Sequence, residues 1–367
     1  MDEFPVTTVV AAGGFAAGIV FGATAHRSNF CTMGAVSDIV FMGDYRRFRA
    51  WLLAIAVGLA ATQGMHVAGL VDINKSVYLT ANFGWLGAIL GGLMFGFGMT
   101  MAGGCGNKTL VRIGGGNLKS VVVALVLGLF GYMTMRGLIA IARFEMESVA
   151  NVNLADSGLA TQGLSDMLGA VAGLDGGTMR MVVAAVLVGG LFVYCFKDAA
   201  FRGSPRDVLG GLIIGLMVPA GWWITGVLGA DEFEPTPLAS FTFVGPTAES
   251  LQYLMTFTGA TISFGVATVG GVIVGSFLMA VATNSFHVEA FSDTGDMGRH
   301  MVGGAIMGIG GVTAMGCTIG QGLTGLSTMA MGSVIAFLSI LAGAYIGLKY
   351  LEEGSLGGAL RAVFVRA

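Results

Sequence analysis

The sequence predicts an all-α integral membrane protein with about nine transmembrane helices, and its composition, hydropathy and charge support this fold class. Of its 367 residues, 55% are hydrophobic and 11% are charged, whereas soluble domains carry roughly 25% charged residues. The mean hydropathy is +0.82, and long apolar runs rather than short alternating ones indicate helices. The net charge is small, at -3, and does not indicate a nucleic-acid partner.

Apolar runs place the nine helices along a single membrane domain that covers residues 1–367. The first run is expected to remain as a permanent span, because the start MDEFPVTT is acidic where a signal peptide is basic. The nine runs have the approximate limits 6–26, 48–71, 84–103, 118–143, 178–197, 206–230, 260–284, 299–317 and 328–350.

Four stretches between these helices are too apolar for aqueous loops and too broken to cross a bilayer. Irregular backbone at membrane depth is tolerated only where protein or a water-filled cavity covers it. We therefore expect four re-entrant segments that dip towards the bilayer centre, at 27–42, 104–116, 239–255 and 318–327.

The distribution of basic residues predicts the orientation in the membrane. With nine spans, 14 of the 18 Lys and Arg residues fall on one side, and Lys75, Arg136, Arg143 and Arg180 fall on the other. The richer side is expected to be cytoplasmic. This places the N-terminus in the periplasm and the C-terminus in the cytoplasm.

Two passages of the chain repeat each other at a constant offset of 212 residues. They are GGLMFGFGMTMAGGCG at 91–106 and GGAIMGIGGVTAMGCT at 303–318. The spacing of glycine and alanine lets such helices approach their neighbours closely in lipid. Each passage delivers a thiol, Cys105 or Cys317, where its apolar run breaks.

Weaker matches extend this repeat towards both ends of the chain. The pattern GGxxxG occurs at 13–18 and at 210–215, and the segments 30–38 and 241–249 align Cys31 with Thr242. Spans one to four therefore correspond to spans six to nine.

The two halves are expected to have opposite orientations, because an odd number of crossings separates them. The first repeat is 1–143, the second is 206–350, and the helix at 178–197 links them. Inverted repeats are characteristic of transporters, which bind substrate at the midplane where broken helices meet. The expected shape is an hourglass, with two funnels that meet at a narrow waist.

Four motifs resemble those of the YeeE/YedE family of bacterial sulfur-compound transporters, and the likeness spans nearly the whole chain. They are HRSNFCTMGAVSD at 26–38, GMTMAGGCGNKTLVRIGGGN at 98–117, SFTFVGPTAESLQYL at 240–254 and GIGGVTAMGCTIGQGLTGLS at 308–327.

The resemblance implies an hourglass-shaped protein of the bacterial inner membrane that takes up thiosulfate. It also implies that cysteines in the central constriction relay the ion, at positions that correspond to Cys31, Cys105 and Cys317. Family members often work beside a small cytoplasmic sulfur-carrier protein of the TusA-like type. One branch of the family is associated with selenium metabolism, so the cargo is less closely defined than the fold.

A small sulfur oxyanion loses most of its water at such a waist, so the protein must supply hydrogen-bond donors. Helix N-termini at the re-entrant tips offer free N–H groups, and thiols offer weak, polarizable S–H donors. Cys105 and Cys317 are expected to face each other, with Cys31 on their cytoplasmic side. Further candidates for the substrate pathway are Thr242, Gly104, Gly316, Asn107, Lys108, Arg112 and Gln321.

Simpler interpretations remain open for these residues. Buried thiols can merely fill gaps, Lys108 and Arg112 are equally consistent with cytoplasmic topology signals, and Asn107 and Gln321 are consistent with local turn bonding. Cys195 lies outside every motif and is expected to pack. The four histidines show no metal-ligand spacing, so no metal or cofactor is predicted.

A transporter rather than an enzyme is the main prediction, and other classes are weighed against it. A membrane thiol-disulfide oxidoreductase that exchanges electrons with quinone is the first alternative, but the sequence lacks a C-x-x-C motif. A transporter of another sulfur or selenium compound is the second. A channel for a neutral solute or a metal fits the repeat equally well but leaves the paired thiols without a purpose.

Overall fold

The computed structural model describes residues 5–173, 176–231 and 236–365, and its principal elements are helices. Two short strands, Asn82–Phe83 and Val152–Asn153, pair antiparallel. The helices are α1 Val6–Ser28, α2 Thr32–Met42, α3 Arg46–Val67, α4 Trp85–Met101, α5 Gly106–Gly114, α6 Leu118–Arg136, α7 Leu138–Ala150, α8 Leu164–Ala172, α9 Gly176–Phe196, α10 Ala199–Arg202, α11 Pro205–Trp223, α12 Val244–Met255, α13 Phe264–Ala282, α14 Thr294–Thr313, α15 Met331–Glu353 and α16 Leu356–Val365.

The predicted fold class is confirmed. Within the described ranges, eight helical segments are long and apolar enough to cross a membrane, and they coincide with eight of the nine predicted spans. The remaining prediction, 299–317, overlaps α14, a helix of 20 residues. That length corresponds to about 30 Å, but the first turns of α14 carry Asp296 and Arg299, which lower its hydropathy.

The predicted span 118–143 is too long, because the chain breaks at Gly137. The helix α6 ends at Arg136, and Gly137 adopts an extended conformation before α7 begins. The 19 residues of α6 already give about 28 Å, which matches the hydrocarbon thickness of a bilayer. The chain therefore turns as soon as the span is long enough.

Long helices pack in pairs that are related by exchange of the two halves. Helix α1 packs on α13 as α11 packs on α3, and α4 packs on α15 as α14 packs on α6. If spans one to four correspond to spans six to nine, each of these pairs is the image of the other. The inverted repeat stays a prediction, and this exchange of partners is the pattern that it requires.

At the centre, the two repeated glycine passages lie directly against each other. A Cβ added at Gly98 would lie 2.8 Å from the carbonyl oxygen of Gly303, and one added at Gly310 would lie 2.7 Å from that of Gly91. The offset of 212 residues converts the first contact into the second. Helices α4 and α14 therefore meet backbone to backbone, as small residues in a membrane helix allow.

Each of the four predicted re-entrant segments contains a short helix. Three of these are α2, α5 and α12, and the fourth covers 318–327 with a π-helical part at Gly320–Gly325. We call the last one helix 318–327. An ion pair ties α2 to the neighbouring α3, because Arg47 donates from Nε and Nη2 to the carboxylate of Asp38 at 2.5 and 2.7 Å.

Candidate functional site

Three of the predicted site residues, Cys31, Cys105 and Cys317, stand immediately before three of the short helices. The N–H of Gly34 donates to Sγ of Cys31 at 3.4 Å, and the N–H of Gly320 donates to Sγ of Cys317 at 3.4 Å. Cys105 precedes α5 in the same way, but its thiol makes no capping hydrogen bond. All three cysteines thus occupy capping positions, and the hydrogen bonds fix the thiols of Cys31 and Cys317 to the first turn of their helices.

The starts of the four short helices converge. The thiols of Cys31 and Cys105 are adjacent, and the Cys105 thiol also lies against the hydroxyl of Thr318. A Cβ added at Gly106 would lie 3.8 Å from Cβ of Phe243 at the start of α12. We call the buried region around the three thiols the thiol constriction.

The thiols themselves are fully enclosed. Cys105 and Cys317 are 0% exposed and Cys31 is 5% exposed, and all are free thiols. The neighbours that Cys105 contacts are Cys31 and Thr318, the residue that follows Cys317. The two halves of the chain therefore meet at the level of the cysteines.

The short helix α12 differs from the other three short helices, because an aromatic residue takes its capping position. Phe243 precedes α12, so Thr242 lies one residue further from the helix than the alignment with Cys31 predicts. The half-buried Thr242 hydroxyl lies where a Cβ at Gly320 would point. The ring of Phe243 packs edge-on against Phe21 at 5.2 Å between centroids. The sequence did not predict this aromatic packing at the start of α12.

On one side of the thiol constriction lies a basic cavity of about 260 Å³, which we call the Lys108 cavity. Lys108 donates from Nζ to Oδ1 of Asn29 at 2.5 Å, and Arg112 donates from Nη1 to the carbonyl oxygen of Gly103 at 2.7 Å. Arg206 lines the same cavity and was not singled out from the sequence. Both predicted basic residues therefore share one cavity, next to the Cys31 thiol.

The segment before α14 closes one edge of the Lys108 cavity. The N–H of Leu118 donates to the carbonyl oxygen of Glu289 at 2.8 Å. The ammonium of Lys119 lies 3.2 Å from carboxylate oxygens of both Glu289 and Asp296. Lys119 holds the pKa of Glu289 below its usual value, so this carboxylate stays ionised and paired with the ammonium.

A second cavity of about 310 Å³ lies at the other end of α14, and we call it the Tyr78 cavity. Thr313 at the C-terminal end of α14 lines it, whereas Glu289, just before the start of α14, lines the Lys108 cavity. Burial raises the pKa of Tyr78 well above its usual value, so the phenol keeps its proton. Tyr78 also lies near Cys317, so this cavity lies beside the thiol constriction.

Gln321 and the two predicted glycines lie beside these cavities. Gln321 lines the Tyr78 cavity, and its amide nitrogen donates to the carbonyl oxygen of Ala314. A Cβ added at Gly104 would lie 3.0 Å from Cγ of Lys108, and one added at Gly316 would lie 3.1 Å from Cγ of Gln321. Glycine at each position therefore leaves room for a side chain that lines a cavity.

Backbone conformation repeats at this point as well. Gly103 and Met315, which the 212-residue offset relates, both have positive φ angles, of 71° and 56°. This conformation is rare for a residue other than glycine. It turns the chain sharply ahead of Cys105 and Cys317, so that a new helix can begin at each thiol.

Two further predictions concern residues away from this region. Cys195 donates from Sγ to the carbonyl oxygen of Arg49 at 3.4 Å, and so packs between α9 and α3. In the part of the chain that the structure describes, no group of three or more His, Cys, Asp or Glu side chains is arranged to hold a metal ion.

Two cavities that flank a buried cluster of three thiols, in a bundle of membrane-crossing helices, are the arrangement expected of a multi-pass membrane transporter of α-helical type. The chain belongs to the family described as sulphur transport, whose model matches residues 27–346. It is 30% identical over 344 residues to the thiosulfate transporter TsuA of Escherichia coli (strain K12), covering 90% of this chain and 92% of that protein. It is 25% identical over 337 residues to the thiosulfate transporter TsuA of Spirochaeta thermophila, covering 90% and 96%.

Proposed function

We propose that this protein takes up thiosulfate across the bacterial inner membrane. The ion passes from the Tyr78 cavity to Cys317, then to Cys105 and Cys31, and leaves through the Lys108 cavity. The observation that carries this proposal is the convergence of three thiols and their helix N-termini between two cavities. The names of the two TsuA relatives support thiosulfate as the cargo.

The chemistry of the thiol constriction suits such an ion. Helix N-termini favour negative charge, and S–H groups are weak donors that match a soft terminal sulfur. Weak donors at successive positions let the ion enter without trapping it. The three thiols thus compensate for lost water while still permitting release.

The proposed direction of uptake rests on charge. The Lys108 cavity lies on the side with 14 of the 18 basic residues in the predicted topology, which is expected to be cytoplasmic. We place the N-terminus in the periplasm and propose that a TusA-like carrier receives sulfur at the Lys108 cavity. The two halves are proposed to form an inverted repeat around the thiol constriction.

The test is growth of a strain that lacks sulfur uptake, supplied with thiosulfate, sulfite or sulfate in turn while it expresses this protein. We expect rescue on thiosulfate, together with uptake of labelled thiosulfate. Rescue on sulfate alone would contradict the cargo assignment. Uptake of labelled selenium compounds by the same strain would extend the cargo to that class.

A thiol-disulfide oxidoreductase is the second candidate, because the Cys31 and Cys105 thiols are adjacent. Alkylation of free thiols before and during uptake separates the two functions. We expect the three cysteines to stay reduced throughout transport. An obligatory bridge between Cys31 and Cys105 in each turnover would favour the enzyme.

A further inference from the structure

Three side chains beside the thiols carry buried polar atoms that make no standard hydrogen bond in the described part of the chain. The hydroxyls of Thr32 and Thr318 and both amide atoms of Asn107 are buried and make no standard hydrogen bond within the described residues. The exposed fractions of these residues are 2%, 0% and 0%. Leaving such groups unpaired is costly, and native proteins rarely do so without a functional reason.

These atoms occur at matching places on three of the short helices. Thr32 is the first residue of α2, Thr318 is the first residue of helix 318–327, and Asn107 is the second residue of α5. Each therefore follows a capping cysteine by one or two residues. The Thr318 hydroxyl lies against the Cys105 thiol, beside helix N–H groups that have no intrahelical acceptor.

We propose that Thr32, Asn107 and Thr318 form a binding site for the oxygen atoms of the substrate, next to the thiols that contact its sulfur. This inference rests on the proposed function. A thiosulfate-type ion has two different ends, a soft terminal sulfur and hard oxygen acceptors. The two hydroxyls and the amide N–H donate to the oxygens, and the three cysteines interact with the sulfur.

Recognition at both ends selects the cargo. Hydrosulfide has no oxygen for the polar site, and sulfate has no terminal sulfur for the thiols. Buried donors left unpaired by the wrong ion penalise its passage. The site thereby discriminates among small sulfur anions by chemistry as well as by charge.

The sharpest test is Thr318→Val, which removes the hydroxyl and keeps the shape of the side chain. We expect the KM for thiosulfate uptake to rise roughly tenfold, while the thermal stability of the purified protein does not fall. Stabilisation of the protein by added thiosulfate should weaken in parallel. Thr318→Ser keeps a hydroxyl at this position. Its KM for thiosulfate uptake should therefore stay within about threefold of that of the unaltered protein, and added thiosulfate should still stabilise it.

Thr62→Val is the matched control, because Thr62 is also 0% exposed and its hydroxyl also lacks a partner. It lies in α3 next to Gln63, whose amide donates to Ser327 at the far end of helix 318–327. This variant should transport like the unaltered protein.

Three outcomes decide the proposal. Uptake by Thr318→Val equal to that of the unaltered protein overturns it, and so does a loss that Thr318→Ser fails to restore. An equal loss in Thr62→Val would also overturn it, since the effect would then belong to buried threonines generally. If the unaltered protein takes up no thiosulfate, the proposed function itself fails, which is a distinguishable result.

Discussion

A backbone N–H can hold the thiol of a cysteine that stands at the start of a helix, and the protein positions two of its central cysteines in this way. Cys31 and Cys317 each accept an N–H from three residues further along, so each thiol stays where the helix N-terminus is most positive. Serine also caps helices well. Capping and conduction can therefore be separated by substitution.

We expect Cys105→Ser to fold with nearly unchanged thermal stability and to take up thiosulfate at least roughly tenfold more slowly. The hydroxyl is a harder donor than the thiol and suits a terminal sulfur poorly. The measurement is initial uptake of labelled thiosulfate, normalised to protein in the membrane.

Cys195→Ser is the control for this substitution, because Cys195 is equally buried but contacts Arg49 outside the thiol constriction. It should retain full uptake. Full uptake by Cys105→Ala and Cys317→Ala as well would rule out the relay.

The charge of Lys108 makes a second prediction at this scale. Lys108→Met keeps most of the stem and removes the ammonium that Asn29 holds in the cavity. We expect uptake at low thiosulfate concentration to fall roughly three- to tenfold, and the remaining rate to depend less on salt. Lys197→Met removes an exposed charge away from the cavity and should have no such effect.

Among the helices, glycine seams determine how closely the elements pack. A Cβ at Gly22 of α1 would overlap the backbone of Val272 in α13, and one at Gly275 would overlap that of Ile19. In lipid, such close contact replaces the hydrophobic effect as the source of helix association. The seams hold the long helices in place, and the long helices in turn hold the short ones at the thiol constriction.

We expect Gly22→Leu to destabilise the protein by about 1–3 kcal/mol or to prevent its folding, because overpacking forces the helices apart. Gly190→Leu is the matched control, since a Cβ at Gly190 of α9 meets nothing within 4 Å. Thermal melting in detergent measures both. Equal melting temperatures would show that the α1–α13 seam tolerates an added side chain.

For the whole molecule, the orientation in the membrane decides which cavity receives the ion. The predicted periplasmic side carries α7, where Val149 is 86% exposed. The predicted cytoplasmic side carries the exposed Ser292. These two positions report on opposite sides of the bilayer.

Val149→Cys should react with an impermeant maleimide in intact cells, and Ser292→Cys should react only after the cells are permeabilised. The native cysteines are buried and should contribute little background. The reverse pattern would invert the topology and make the Lys108 cavity the entrance.

Composition and apolar runs alone determine that this chain is an α-helical membrane protein, because a bilayer admits few ways of satisfying the backbone. The glycine spacing of the repeat at 91–106 and 303–318 likewise predicts that these helices approach their neighbours closely, and the structure shows that α4 and α14 approach each other in this way. The break at Gly137 was missed because apolar residues continue beyond it.

Only the tertiary structure decides which side chains meet at the centre. Cys31 and Cys105 are adjacent in space although many residues separate them, and the contact of Cys105 with Thr318 crosses between the halves. The sequence alone predicts a site at the cysteines of the Cys-Thr pairs at 31 and 317. The threonines that follow them become candidates only in the structure, where their buried hydroxyls make no standard hydrogen bond to a described residue. Helix periodicity specifies which face is apolar, whereas the convergence of four helix starts depends on how every seam packs.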